Sequence, residues 1–101
     1  MAARIVWAQR ALEDLTQIAA FIAQDSPHFA AVTASRIVGL VEQAAVFPRS
    51  GRVVPEYADP RLRELFWRRY RVIYKVEAER VIVIAVIHAS QLLPEDLAST
   101  F

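Results

Sequence analysis

The chain has 101 residues, 12 Lys and Arg against 11 Asp and Glu, and no Cys. That is one domain's length, enough to bury a core without cross-links, and the net charge of +1 argues against a general polyanion binder. A thiolate nucleophile and a Cys-based metal centre are excluded, and two His far apart in sequence, His28 and His88, do not suggest a zinc site, so no metal or cofactor is expected.

Ala3 to Ala8 reads as a short β-type run. The period then changes. Leu12, Leu15, Ile18, Ala19 and Ile22 recur at the three-and-four spacing of one helical face, with Glu13, Asp14, Gln17 and Gln24 on the polar side. No signal peptide is expected, because Arg10, Glu13 and Asp14 interrupt the apolar run early. Asp25-Ser26-Pro27 ends this helix and starts another, since Ser26 can cap and Pro27 suits the first helical position. Ala30, Ala34, Ile37, Val38, Val41 and Ala45 form the second apolar stripe. So short a connection folds the two helices back as a hairpin.

Phe47 to Arg52 closes the helical half. Val53 to Pro60 is expected to be irregular, because Pro55 and Pro60 block ladder hydrogen bonds. Leu62 to Trp67 follows as a strand, with Phe66 assigned to the core. Tyr70 to Val76 alternates, sending Tyr70, Val72, Tyr74 and Val76 to one face and Arg71, Ile73 and Lys75 to the other. Glu77-Ala78-Glu79 makes a turn into Val81–Ile87, which is apolar on both faces and therefore interior to a sheet. That run is far too short to cross a bilayer, and a cytoplasmic protein with no membrane contact is expected. Pro94 to Leu97 is expected to form one terminal helical turn, with fraying from Ser99. The whole order predicts an α+β fold: an N-terminal strand, a helical hairpin, then a three-stranded antiparallel meander, with the helices on one face of the sheet. The second face, only partly apolar, is expected to leave room for a ligand or another chain.

Cations are 11 Arg to one Lys, and five of those Arg fall between Arg61 and Arg71. An Arg fork suits phosphate or carboxylate, although a genome rich in Arg codons gives the same bias. Arg61, Arg63, Arg68 and Arg69 with Trp67 are the candidate surface for an acidic partner or nucleic acid. The bland reading is a solvated face, with Arg71 paired to Glu64 across the strands.

Taken in order, four segments resemble the RelE/ParE toxins of type II toxin–antitoxin modules. They are Gln9 to Leu15, Phe47 to Arg52, the meander from Leu62 through Val76, and the strand end Val86-Ile87-His88. Together they span nearly the whole chain. The resemblance implies a toxin neutralised by a cognate antitoxin that wraps it, in a hetero-oligomer. It also implies one of two targets. ParE-like members poison DNA gyrase by binding; RelE-like members cut mRNA in the ribosome. No sequence-specific DNA binding by the toxin alone is expected.

For the nuclease, Glu56, Arg71 and His88 resemble the positions of base or acid and phosphate-holding cation. This sequence departs from the nuclease pattern in having one Lys, Gln91 in place of a frequent Arg, and no Tyr in His88–Gln91. Gyrase binding is therefore the favoured reading, with a non-toxic interaction module of the same fold as a further alternative. Leu12, Leu15, Phe21, Phe29 and Leu40 are the candidate groove for an antitoxin helix.

Overall fold

The computed structural model describes residues 2–94 and residue 97. Strand β1, Arg4–Trp7, leads directly into helix α1, Gln9–Ala23, and a short link leads into α2, Pro27–Val46. The break is local chemistry. Ser26 is extended, its Oγ accepts from the Phe29 amide at 3.1 Å, and Pro27 occupies the first turn where no amide donor is needed. Such a cap stabilises a helix by about 1 kcal/mol.

After a 3-10 turn at Pro48–Ser50 come β2, Arg52–Val53, β3, Leu62–Trp67, β4, Tyr70–Val76, and β5, Arg80–His88. The sheet has five strands in the order β1-β5-β4-β3-β2. β1 lies parallel to β5, and the other neighbours are antiparallel. The helical hairpin is the crossover that a parallel pair requires. The meander is thus extended on both edges: Arg52, the end of the Phe47–Arg52 loop, pairs with Glu64, and Val53, expected to be irregular, pairs with Arg63. The two prolines that argued against pairing begin just beyond it.

β5 is interior, as its continuous apolar run predicted, and Val81–Ile87 are all buried. Its alternation is broken once. Ile73 pairs with Ala85 and Tyr74 with Val83, so Ile84 has no partner on β4. That bulge turns both Ile84 and Ala85 to the face away from the helices.

The helix face packs Ala11, Ile37, Val41, Val72, Val83 and Val86 into one cluster and Ala44, Ala45, Tyr74 and Val81 into another. The opposite face is not left open. Val54 and Leu97 close over Leu62, Ile73, Ile84 and Ile87, with Tyr57 and Leu93 beside them, and the Tyr57 hydroxyl donates to the Pro94 carbonyl. Most of the expected terminal turn lies outside the described residues, as does everything from Ser99 on.

Exposed apolar side chains include Leu12 and Val38, from the two helical stripes, and Phe66, assigned to the core. Leu12 and Val38 flank the buried lines of their helices, where Ala11 and the pair Thr33 and Ala44 sit instead. Phe66 is 41% exposed, because it shares the far face of β3 with Glu64 at the sheet's thin edge, and the Arg52 guanidinium lies 5.1 Å from its ring centre.

Gly51 is fixed by a close approach. A Cβ there would lie 2.6 Å from the Tyr74 hydroxyl and 2.7 Å from the Glu64 carbonyl oxygen. The Gly51 amide donates to that hydroxyl at 3.1 Å, and the hydroxyl donates to the Pro48 carbonyl at 2.7 Å. Burial pushes the Tyr74 phenol up from its ordinary pKa.

Candidate functional site

Glu56 and Arg71 meet on the face away from the helices. Arg71 is buried on β4; its two terminal nitrogens donate to the Glu56 carboxylate at 2.8 and 2.9 Å. Its Nε donates to Oε1 of Glu64 at 2.6 Å, and Arg52 donates to Oε2 of the same carboxylate at 2.6 Å. Glu64 has no side-chain exposure, so its charge is tolerated only because two guanidiniums meet it. Hydrogen bonds from Arg71 hold the Glu56 carboxyl below the usual range, and the same bonds raise the Arg71 pKa. The fork that would grip a phosphate is filled by a carboxylate.

His88 is on the other face. Successive strand residues point to opposite sides, and His88 pairs with Tyr70, the neighbour of Arg71. The two rings meet edge to face at 5.6 Å between centres. The Ser90 amide donates to His88 Nδ1 at 3.1 Å, which places the proton of the neutral ring on Nε2. A groove of about 350 Å³ lies there between α1 and β5, lined by Arg10, Asp14, Phe21, Tyr70 and His88. The structure therefore brings Glu56 to Arg71 and keeps both from His88.

Asp14 is a residue that sequence reasoning left on the polar side of α1. Its Oδ2 accepts from the Val86 amide at 3.0 Å. β1 ends opposite Val83, so the outer edge of β5 has no strand beside it at Val86. Asp14 supplies the missing acceptor, and no local signal marks a contact that links α1 to the last strand.

The basic stretch does not form one plate. Arg61 is forked on Asp59, with the closest approach at 2.9 Å. Arg63 donates to the Pro60 and Gly51 carbonyls. Arg68 and Arg69 lie at the other end of β3, roughly 17–20 Å away for a strand of this length. They form the two-residue turn into β4 between the paired Trp67 and Tyr70. Arg68 has φ of 52°, a left-handed conformation that disfavours any residue with a Cβ. Its guanidinium lies 5.0 Å from the Trp67 ring centre and 5.4 Å from that of Phe29, and the two rings are 5.9 Å apart.

The candidate antitoxin residues are likewise separated. Leu15 and Leu40 pack against the core cluster of the helix face. Phe29 belongs to the Trp67–Arg68 stack. Leu12 and Phe21, the latter 70% exposed, flank the buried line of α1 on opposite sides. Exposed apolar side chains that sequence reasoning missed are Val46 and Phe47, at the end of α2, beside a groove of about 860 Å³ that also includes Pro48 and Val76. Among the described residues no three His, Asp or Glu converge as a metal would require.

The profile of the family described as ParE toxin of type II toxin-antitoxin system, parDE, matches residues 5–93. The chain belongs to this family of type II toxins. The toxin-named protein Y4kP of Sinorhizobium fredii is 35% identical over 94 residues, covering 93% of this chain and 96% of Y4kP. Toxin RelE2 of Caulobacter vibrioides is 36% identical over 91 residues, covering 89% and 99%. These relatives place the toxin in the RelE/ParE superfamily. The fold agrees. A chain from the chromosomal ParDE TA system of P. aeruginosa superposes with a TM-score of 0.71 at 17% identity, over 88% of this toxin and 98% of that chain. A mutant of the E. coli toxin RelE in the free state gives 0.66 at 19% identity, over 98% and 93%.

Proposed function

We propose that this ParE-family toxin arrests growth in the cytoplasm by binding DNA gyrase, and that a cognate antitoxin silences it. One observation carries the choice of target: Arg71 and His88 sit on opposite faces of the sheet. Cutting RNA by 2′-hydroxyl attack requires a base, an acid and a cation around a single phosphate. Glu56, Arg71 and His88 are the residues the resemblance offers for that work. Two are locked into a carboxylate–guanidinium network and the third is across the sheet.

Inhibition by binding asks for less: a rigid, exposed anchor. Aromatic and Arg side chains supply most of the energy at protein interfaces. The hairpin tip offers Trp67, Arg68 and Arg69, with Arg68 held on two rings before any target arrives. We assign target contact to this tip, and antitoxin contact to the exposed apolar side chains of α1, Leu12 and Phe21.

Induction in cells tests the reading. The gyrase target predicts relaxed or cleaved plasmid and a DNA-damage response, with rescue by the antitoxin. Codon-positioned cuts in translated mRNA, with plasmid topology unchanged, would instead make the toxin a ribosome-dependent nuclease.

A further inference from the structure

Several exposed cations are met by carboxylates: Arg10 by Asp14, Arg52 by Glu64, Arg61 by Asp59 and Arg80 by Glu77. Where α2 passes the β3–β4 turn, the matching stops. Helix α2 carries no Asp or Glu before Glu42, and the chain carries none between Glu64 and Glu77. Arg36, Arg68 and Arg69 are exposed at this end and, among the described residues, form no ion pair.

A groove of about 690 Å³ lies between α2 and the turn. His28, Ser35 and Arg36 line it from the helix and Trp67 from the other side, and no carboxylate lines it. Trp67 is half-buried and braced. Its ring centre is 5.9 Å from that of Phe29, and the Arg68 guanidinium lies 5.0 Å from it. A wall fixed in advance loses little side-chain freedom when a ligand arrives.

We propose that this groove binds a single strand of nucleic acid, with a base against Trp67 and phosphates on Arg36 and Arg68. Every nucleotide carries one flat ring and one negative charge, and the groove sets an aromatic wall beside unpaired guanidiniums. A duplex keeps its base faces stacked and offers only the charge. An acidic peptide would meet the guanidiniums and leave the ring unused. His28 and Arg36 are eight positions apart, about 12 Å along the helix, which matches roughly three to four nucleotides at about 3.4 Å each. The kind of strand rests on the gyrase reading: a target that works on DNA presents DNA to a toxin seated by the adjoining hairpin tip.

Fluorescence anisotropy of fluorescein-labelled oligothymidylate with the purified full-length toxin, at about 50 mM salt, tests the groove with no gyrase present. Saturation is expected below about 100 µM toxin. The logarithm of the association constant should fall against the logarithm of salt with a slope of about −1.4, the value for two phosphates on a single strand. Trp67→Ala is expected to weaken binding by about 5- to 150-fold. Arg36→Glu should weaken it by about tenfold or more, and because Arg36 is exposed, this variant decides the matter even if Trp67→Ala loosens the turn. Arg49→Glu makes the same change in net charge beyond the far end of α2 and should leave binding unchanged. Absence of binding, equal losses in Arg49→Glu and Arg36→Glu, tighter binding of a duplex of the same length, or displacement by oligoglutamate of equal charge would overturn the proposal. Tighter binding of oligouridylate than of oligothymidylate would uphold the groove and count against the gyrase reading. Loss of strand binding with gyrase binding intact would remove the groove alone.

Discussion

Arg71 on β4 and Glu64 on β3 form a buried pair, with Nε 2.6 Å from Oε1 and both side chains almost wholly withdrawn from water. Removing one partner leaves the other with a single counter-charge, Glu64 with Arg52 and Arg71 with Glu56. Arg71→Ala and Glu64→Ala are therefore each expected to lose about 1.5–3 kcal/mol of stability, the worth of a hydrogen bond to a charged group. Urea unfolding of the two variants measures this. A loss below about 1 kcal/mol would mean the pair behaves as a surface contact.

The bond from Arg71 to Glu56 makes a separate prediction about pH. The Glu56 carboxyl is held below its unfolded value of 4.5, chiefly by hydrogen bonds from Arg71. A depressed carboxyl binds fewer protons when folded, so its contribution is fully present above the unfolded value. It is lost as pH falls through the lower folded value. The melting temperature of the wild type should exceed that of Glu56→Gln at neutral pH. The gap should close on acidification below 4.5. A gap that widens in acid would contradict the assigned sign.

Gly51 and Tyr74 make a junction that admits no added atom. The Glu64 carbonyl that a Cβ would strike is backbone and cannot swing aside. Gly51→Ala is expected to cost about 1–3 kcal/mol from overpacking. Tyr74→Phe should cost a similar amount, about 1–3 kcal/mol, because it strands the Gly51 amide and the Pro48 carbonyl. Thermal unfolding reads both. A neutral Gly51→Ala would show that the loop can move away from β3.

Arg68 separates stability from function. Arg68→Gly relieves the left-handed backbone, worth about 1–2 kcal/mol, and gives up contacts to two rings worth about 0.5–1 kcal/mol each. The effects nearly cancel, so stability should stay within about 1 kcal/mol of wild type. Growth inhibition should nevertheless fall sharply if the hairpin tip meets the target. A stable variant that still kills would remove Arg68 from the contact surface.

What the sequence disclosed divides along physical lines. Ser26-Pro27 marked the helix break because capping is local chemistry. The alternation of Tyr70–Val76 gave the two faces of β4 because a strand has period two. The pairing of Arg71 with Glu64 was within reach as the bland reading of two charges on neighbouring strands. The bulge at Ile84 was invisible, since every residue around it is apolar. Register through the β4–β5 turn sets which face His88 takes, and the separation of His88 from Arg71 follows from that register. Asp14 looked like any solvated carboxylate, because its acceptor role depends on where β1 stops. Phe47 seemed a loop residue closing the helical half, and only the folded chain shows it facing outward.

The gyrase reading stands or falls on a direct binding experiment with the purified toxin. Labelled full-length toxin is titrated with purified gyrase and, in parallel, with intact ribosomes. The account predicts saturable binding to gyrase that Arg68→Gly weakens and the antitoxin competes away, with no retention on ribosomes. Retention on ribosomes with codon-positioned mRNA cleavage, and none on gyrase, would contradict it.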